Sequence, residues 1–458
     1  MIRPQEKVTI DVPPQAAILV LALRDIGYTF STAIADIIDN SIDSEAKTVK
    51  ISTGDFGGEH PFIVIADDGQ GMNEDQLVEA LRFGSNVDHN LSGLGKFGLG
   101  LKTSSFSQCR RVTVLSRKDQ KEKWNGMCWD LDHVLEKDMW EVLKVDTRQL
   151  PNFNWEMLLK IPHGTIVIWE NLDRVFLKKD KFGLFEDMPA TPYKLIKDLD
   201  IHLGMVFHRF LNGEVPEKHL SIEINSSCVK PWDPFARNEK DTLKIKKSEI
   251  NIESLGAIRI FSIIPYILPH ESQFSSTASF KAASGPKKWN SQQGFYIYRQ
   301  DRLIQSGGWC GLWTTNDEHS KLLRVCLDFS PELDEAFQIN ITKTQVTLPP
   351  SASDQIISLL KSLKTQSDDR YRNAGLDSKK NRQPQPPQPP QQSQKPSSEI
   401  SSTTPNTGYN LPGRHVPASI PLDVDMESQI KKLLKFADNN ERAAIINVLK
   451  KFYASGGN

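Results

Sequence analysis

Apolar residues recur along roughly the first 365 positions in two rhythms, and each predicts a different element. Across 31–43, Ile34, Ile37, Ile38 and Ile42 fall three and four apart and predict an amphipathic helix. Further helices are predicted at 74–83, 102–108, 192–211 and 351–363. Short apolar runs bounded by turn residues predict strands at 62–66, 111–116, 165–170, 220–224, 257–264, 294–298 and 323–328. Helices and strands interleave without strict βαβ order, which predicts an α+β fold built on a mixed sheet. A break near 174–180 divides this part into 1–178 and 179–365. Past Thr365 the rhythm dissolves. Residues 383–398 are almost entirely Pro, Gln, Ser and Lys, so 366–424 reads as a disordered linker. Helical spacing returns at 425–458. Ile430, Leu433, Leu434 and Phe436 form one stripe, and Ala444, Ile445, Val448, Leu449 and Phe452 form another. With a turn at Asp438, Asn439 and Asn440, they predict a helical hairpin.

Composition narrows the class. The 458 residues suffice for two or three domains with a sizeable core. A formal net charge of −1 excludes a uniformly basic nucleic-acid coat. Five scattered cysteines without a CxxC pair suggest neither zinc nor redox chemistry and fit reduced thiols. The first residues carry no secretory core. The longest apolar run near them, 16–23, is far shorter than the ~20 residues a membrane span needs. The expectation is a soluble cytoplasmic protein without a membrane partner.

Four segments carry candidate chemistry. On the 31–43 helix, Asp36, Asp39, Asn40 and Asp43 lie opposite the isoleucine stripe. A carboxylate and an amide one turn apart can orient a water and hold a hydrated Mg²⁺; taken alone, such a face is more often simply solvated. Next, a buried strand ends in Asp67, Asp68, Gly69, Gln70, Gly71 and Met72. A carboxylate there can accept from an amino group such as the adenine amine, and the glycines admit a close ligand; an ordinary Asp-Gly turn is the plain alternative. Third, Gly93, Gly95, Gly98 and Gly100 lead into a helix, with Lys96 and Lys102 adding positive charge. Such a loop can wrap phosphate, although it matches neither a Walker A loop nor a Rossmann fingerprint. Last, Gly164 and Thr165 open a strand, a pair uninformative in isolation.

In this order and at these intervals the four become specific. The sequence resembles the GHKL superfamily of gyrase B, Hsp90, MutL and CheA-type histidine kinases. The stretches IDNSIDSEA, DDGQGM and GLGKFGLGLKTSS look most like the MORC-like ATPases and their bacterial relatives. The resemblance covers roughly the first 350 residues. It implies a Bergerat-type α/β sandwich that binds ATP and Mg²⁺, followed by an S5-like β-α-β transducer domain. Carried over, Asn40 is the Mg²⁺ ligand and Asp43 adjoins it. Asp68 receives the adenine amine, Gly69 and Gly71 shape the pocket, and Met72 packs on the base. Gly93, Gly95, Lys96, Phe97, Gly98, Leu99 and Gly100 form the lid over the phosphates, followed by Lys102. Thr165 bonds near Asp68. The family's general base is usually Glu; here that position is Asp36, one methylene shorter, which puts the hydrolysis rate in question.

In the second domain, Arg299 and Arg302 sit in a segment similar to the transducer hairpin. Lys343 sits in one similar to the loop that brings a lysine to the γ-phosphate. A solvated hairpin tip and a surface lysine are the plain readings of these residues. The resemblance further implies an ATP-dependent homodimer and contact with DNA. Lys244, Lys246, Lys247, Lys287 and Lys288 are candidate phosphate contacts, with Trp289 beside them for stacking. The C-terminal hairpin could recruit a protein partner. Two other classes stay open: a nucleotide-binding interaction module with negligible hydrolysis, and a histidine-type protein kinase. The kinase is disfavoured because no phosphoacceptor helix pair precedes the ATP-binding segment.

Overall fold

The computed structural model describes residues 10–56, 58–84, 93–94, 98–153, 155, 158–176, 178–179, 185–186, 191–254, 256–313 and 317–380. They fall within the compact unit Met1–Pro384. The expected hairpin at 425–458, and the part of the expected linker beyond 380, lie outside the described residues.

In chain order the helices are α1 (Ala16–Leu23), α2 (Phe30–Asp43), α3 (Glu74–Leu81), α4 (Gly100–Phe106), α5 (Leu131–Lys137), α6 (Pro192–Val206), α7 (His208–Leu211), α8 (Thr277–Ala283), α9 (Lys288–Gln292) and α10 (Pro350–Lys380). The first strands are β1 (Thr48–Gly54), β2 (Phe62–Asp67), β3 (Arg111–Arg117), β4 (Asn125–Asp130), β5 (Leu143–Lys144) and β6 (Gly164–Glu170). After the short pair β7 (Lys178–Lys179) and β8 (Phe185–Glu186) come β9 (Ser221–Ile224), β10 (Ser227–Cys228), β11 (Leu243–Lys244) and β12 (Ser248–Ser254). The last are β13 (Ala257–Ile267), β14 (Gly294–Arg299), β15 (Arg302–Ser306) and β16 (Leu323–Phe329).

Two sheets organise these elements. The first runs β10-β9-β1-β2-β6-β3-β4-β5, and the second runs β11-β13-β16-β14-β15 with β12 also paired to β13. Both are mixed, because β1 and β9 pair in parallel and so do β14 and β16. The fold is therefore α+β, as the sequence predicts.

Strand β2 is buried along its whole length, because both faces of the first sheet are covered. Ile63 and Ile65 belong to the core under α2, with Ile34, Ile37, Ile38 and Ile42 opposite them. Phe62, Val64 and Ala66 pack on the other face with Leu115, Leu158, Ile166 and Ile168. This alternation fixes where the end of β2 points. Helix α2 starts cleanly because the Thr29 side chain accepts from the Thr32 backbone while the Thr32 side chain returns the bond.

The first sheet runs past the boundary expected at 178/179. Strands β9 and β10 extend the first sheet through β1, and Leu199, Leu203, Val206, Phe210, Ile222 and Val229 belong to the first core. The first layer thus takes in residues up to Val229, because β1 offers an edge that β9 fills. The helix expected over 192–211 breaks at Phe207. The helix expected over 351–363 runs on to Lys380, past the expected start of the linker at 366. Its polar extension is tied down by Arg370, which donates to the carbonyls of Ile267 and Asp241, and by Tyr371 against the second core. Among the described residues no helix is long and apolar enough to cross a membrane. All five cysteines are free thiols.

Candidate active site

The acidic face of α2 is not solvated. Asp36 and Asp39 are 2% and 0% exposed, while Asn40 on the same turn is exposed. Burial is sustained by groups from far along the chain. The Lys343 ammonium donates to Asp36 Oδ1 at 2.5 Å and to Asp39 Oδ2 at 2.7 Å. Arg302 Nε donates to Asp39 Oδ1 at 2.7 Å, and its Nη1 donates to the Lys343 carbonyl at 3.2 Å. Tyr28, just before the cap of α2, sends its hydroxyl to Asp36 Oδ2 at 2.8 Å. Two buried carboxylates therefore meet two buried cations. Asn40 Nδ2 donates to the Asp36 carbonyl at 3.2 Å, and no donor among the described residues reaches its Oδ1.

The strand end sends its two carboxylates to different partners. By the alternation of β2, Asp67 follows Ile63 and Ile65 onto the α2 side, and Asp68 turns away. Asp67 Oδ2 accepts from the Ser41 hydroxyl at 3.0 Å. Its Oδ1 accepts from the backbone of Gly69 at 3.0 Å and of Thr165 at 3.2 Å. Asp68 Oδ1 instead accepts from the backbones of Lys47 and Thr48, both at 2.8 Å, and so anchors the start of β1. The carboxylate on the α2 side is Asp67, and the pattern DxGxG reads Asp67, Gly69, Gly71.

Around it, Gly71 has φ +63°, and a side chain there would strike the Arg117 carbonyl at 1.9 Å. Gly164 has φ +138° and lies against the Asp67 carbonyl. Thr165 reaches Asp67 through its backbone, and its hydroxyl meets Ser116 Oγ at 2.9 Å. Ser116 in turn accepts from the Met72 backbone at 2.9 Å, and Met72 packs against the first core.

Of the glycine loop, Gly95, Lys96 and Phe97 lie outside the described residues. Asp43 Oδ1 accepts from the Leu94 backbone at 2.9 Å, joining the end of α2 to the loop. Gly98 has φ +60°. Gly100 abuts Asp36, since a Cβ there would lie 2.6 Å from Asp36 Oδ2. Leu99 precedes α4 and accepts from Thr103. Lys102 is placed otherwise than expected. It is buried, and its ammonium caps the end of α3 through the carbonyls of Ala80 at 2.9 Å and Arg82 at 2.8 Å.

The plain readings of Arg299 and Arg302 are overturned as well. Gln300 and Asp301, both at positive φ, close a two-residue hairpin whose flanking arginines are buried. Arg299 grips Asp334 at 2.7 and 2.9 Å, and its Nη1 donates to the carbonyls of Gly93 at 3.0 Å and Leu94 at 3.1 Å. Lys287 and Trp289 are also used internally, while Lys288 is exposed. Lys287 bonds Ser306, and the Trp289 ring stacks on Phe280 with centroids 4.8 Å apart. Lys244, Lys246 and Lys247 remain exposed.

Charge follows from these contacts. Burial alone would push the Asp36 carboxyl up; the adjoining Lys343 ammonium, with Arg302 and the Tyr28 hydroxyl, holds it below the usual carboxylate range. Asp39 is pushed up by burial and by the neighbouring Asp36 charge, against Arg302 and Lys343. Lys343 resists the downward pull of burial because both carboxylates face it, and it stays above the usual lysine range. Burial pushes Asp67 up to about 6 despite its three donors. Burial takes Lys102 down to about 8. A separate cavity of about 780 Å³, lined in part by His60, Phe62, Glu170 and Phe176, lies at the opposite end of β2 and β6 and holds none of these groups.

Residues 28–165 match the family model described as histidine kinase-, DNA gyrase B-, and HSP90-like ATPase. This segment is similar to that family. The matched stretch includes Tyr28, the whole of α2, Asp67, the glycine loop and Thr165. The chain is also similar to the ATPase morc-1 of Caenorhabditis elegans, 32% identical over 88 residues. That stretch is 19% of this chain and 10% of the relative, so the chain spans about a tenth of the length of the curated relative it matches.

Motif spacing missed Asp67, Ser41, Ser116 and Tyr28 as partners in this site, and it missed the ion pairing of Asp39 with Arg302 and Lys343. The period-two pattern of β2 carried a signal for Asp67. Tyr28 and Ser116 carried none, because their partners are set by tertiary packing.

Proposed function

We propose that this chain binds ATP with Mg²⁺ and hydrolyses it slowly, using the bound nucleotide to change conformation. The observation that carries the reading is the buried carboxylate of Asp67 at the end of β2. An ionised carboxylate has about four acceptor positions, and Ser41, Gly69 and Thr165 occupy three. One acceptor is left for the adenine amine. The donor set also fits Mg²⁺. No three His, Cys, Asp or Glu side chains among the described residues converge as a metal cage, whereas Asn40 offers one exposed hard oxygen. A magnesium ion that keeps its waters and the nucleotide's phosphate oxygens needs little more. The ion supplies neutralisation of phosphate charge.

In the hydrolysis, Asp36 takes a proton from a water whose oxygen attacks the γ-phosphorus. The bond to the bridging oxygen breaks, and its electron pair leaves on ADP. Lys343 would leave the carboxylates for the γ-phosphate oxygens, removing the main influence that depresses Asp36 and making it a better base. The second reading, a nucleotide-binding module with negligible turnover, is favoured by one observation: Lys343 occupies the Asp36 oxygen that a water would use.

Closure of the glycine loop, pairing of two copies on ATP, contact with DNA through Lys244, Lys246 and Lys247, and recruitment of a protein partner by 425–458 extend the proposal. Calorimetric titration of ATP in Mg²⁺ tests its core. Binding is expected for the natural chain and a weaker, less Mg²⁺-dependent binding for Asn40→Ala. Absence of binding by the natural chain would refute it.

A further inference from the structure

We infer that Tyr28 is a positioning residue that aims the Asp36 carboxylate at the attacking water. This rests on the proposed role of Asp36 as base and adds a residue to it. Both Asp36 oxygens are engaged, by two chemically different donors. Oδ1 meets the Lys343 ammonium at 2.5 Å, and Oδ2 meets the Tyr28 hydroxyl at 2.8 Å. A phosphate competes for an ammonium, because both attractions are ionic. It competes far less for a buried neutral phenol. When Lys343 moves to the nucleotide, Oδ1 is freed and Tyr28 stays on Oδ2.

A lone donor on one oxygen matters for an aspartate. The carboxylate torsion is broad and roughly two-fold, so without Tyr28 either oxygen could turn to the water at a range of angles. A shorter side chain than Glu tolerates less misalignment. Because Tyr28 is neutral, it orients the carboxylate without cancelling its charge, which a cation in the same place would do.

The placement has a specific origin. Tyr28 precedes the cap Thr29, where an apolar residue ordinarily packs back on the first turn of the helix. Here its buried side chain reaches Asp36, two turns on. The same hydroxyl lies 3.5 Å from the Ile341 carbonyl, in the loop that carries Lys343. The charged groups facing Asp36 are Lys343 from that loop, Arg302 from β15 and Asp39 from α2. From α4, the Gly100 backbone abuts it.

The test is Tyr28→Phe in the full chain, which removes one oxygen atom. Phosphate release is measured at saturating ATP across pH, with nucleotide affinity and melting temperature alongside, and Asp36→Asn in the same assay. Tyr28→Phe should lower kcat roughly tenfold or more with nucleotide affinity within about twofold. The acidic limb of the kcat profile should move to higher pH, because a carboxylate that loses a donor holds its proton more tightly. An unchanged rate and profile would overturn the inference. So would equal weakening of ATP and ADP binding with a normal rate at saturation, which marks a packing role. If Asp36→Asn is as fast as the natural chain, the base assignment itself fails, and Tyr28 falls with it. If only Tyr28→Phe is silent, the base stands and Tyr28 alone is refuted.

Discussion

Lys343 and Asp36 are 307 positions apart in the chain, and their side chains meet at 2.5 Å in a buried ion pair that Asp39 shares. The contact joins the loop after β16 to the second turn of α2. Removing one partner of a buried pair leaves the other charge stranded in low dielectric, a cost of about 3–5 kcal/mol. Lys343→Met should therefore lower stability by that order in denaturant unfolding without nucleotide, and it should abolish turnover. Replacing the pair together, as Lys343→Met with Asp36→Asn, leaves Asp39 paired with Arg302 and should restore much of the stability and none of the turnover.

Asp67 and Asp68 differ in face and therefore in consequence. Asp67→Asn replaces one acceptor oxygen of the site with a donor and should weaken ATP binding by about 1–3 kcal/mol, roughly 5- to 150-fold. Asp68→Asn disturbs only the anchor of β1 at Lys47 and Thr48 and should leave affinity near normal while lowering the melting temperature slightly. A binding titration of both variants separates the assignments.

The two neighbours were hard to tell apart by motif, and the reason is physical. The glycines that follow both carboxylates announce a tight turn, but only the alternation of Phe62, Ile63, Val64 and Ile65 between two cores decides which carboxylate faces α2. The isoleucine stripe of α2 was legible because helical spacing is local. The fate of its polar face was not, because Arg302 arrives from the second sheet and Lys343 from the loop after β16, both hundreds of residues later. Strand β1 escaped notice for a related reason. It offers only Val49 and Ile51 as apolar positions and owes its existence to β2 and β9 on either side.

Adenine-nucleotide affinity should depend on pH through Asp67. Burial pushes its carboxyl up to about 6 from the ordinary aspartate value of 3.8. Above that range it is an ionised acceptor, and below it a protonated acid with less to offer an amine. Affinity should fall as pH drops through about 6. Fold stability has the opposite sign at this group. The raised value contributes stability fully present below 3.8 and lost as pH rises through about 6. In Asp67→Asn the pH dependence of binding near 6 should flatten, which titrations at pH 5 to 8 would detect.

Gly100 is required by its distance from Asp36. A methyl group there would lie 2.6 Å from Asp36 Oδ2, and that oxygen is pinned by Tyr28 and cannot swing away cheaply. Gly100→Ala should slow turnover about tenfold or more, with a far smaller loss of ADP affinity, because the displaced group is the carboxylate and not the adenine pocket.

The most direct measurement is phosphate release from ATP in Mg²⁺ by the natural chain and by Asp36→Asn under identical conditions. The account predicts slow but measurable release by the first and, for the second, a loss of at least about a hundredfold with ATP still bound. Equal release by the two proteins would contradict it.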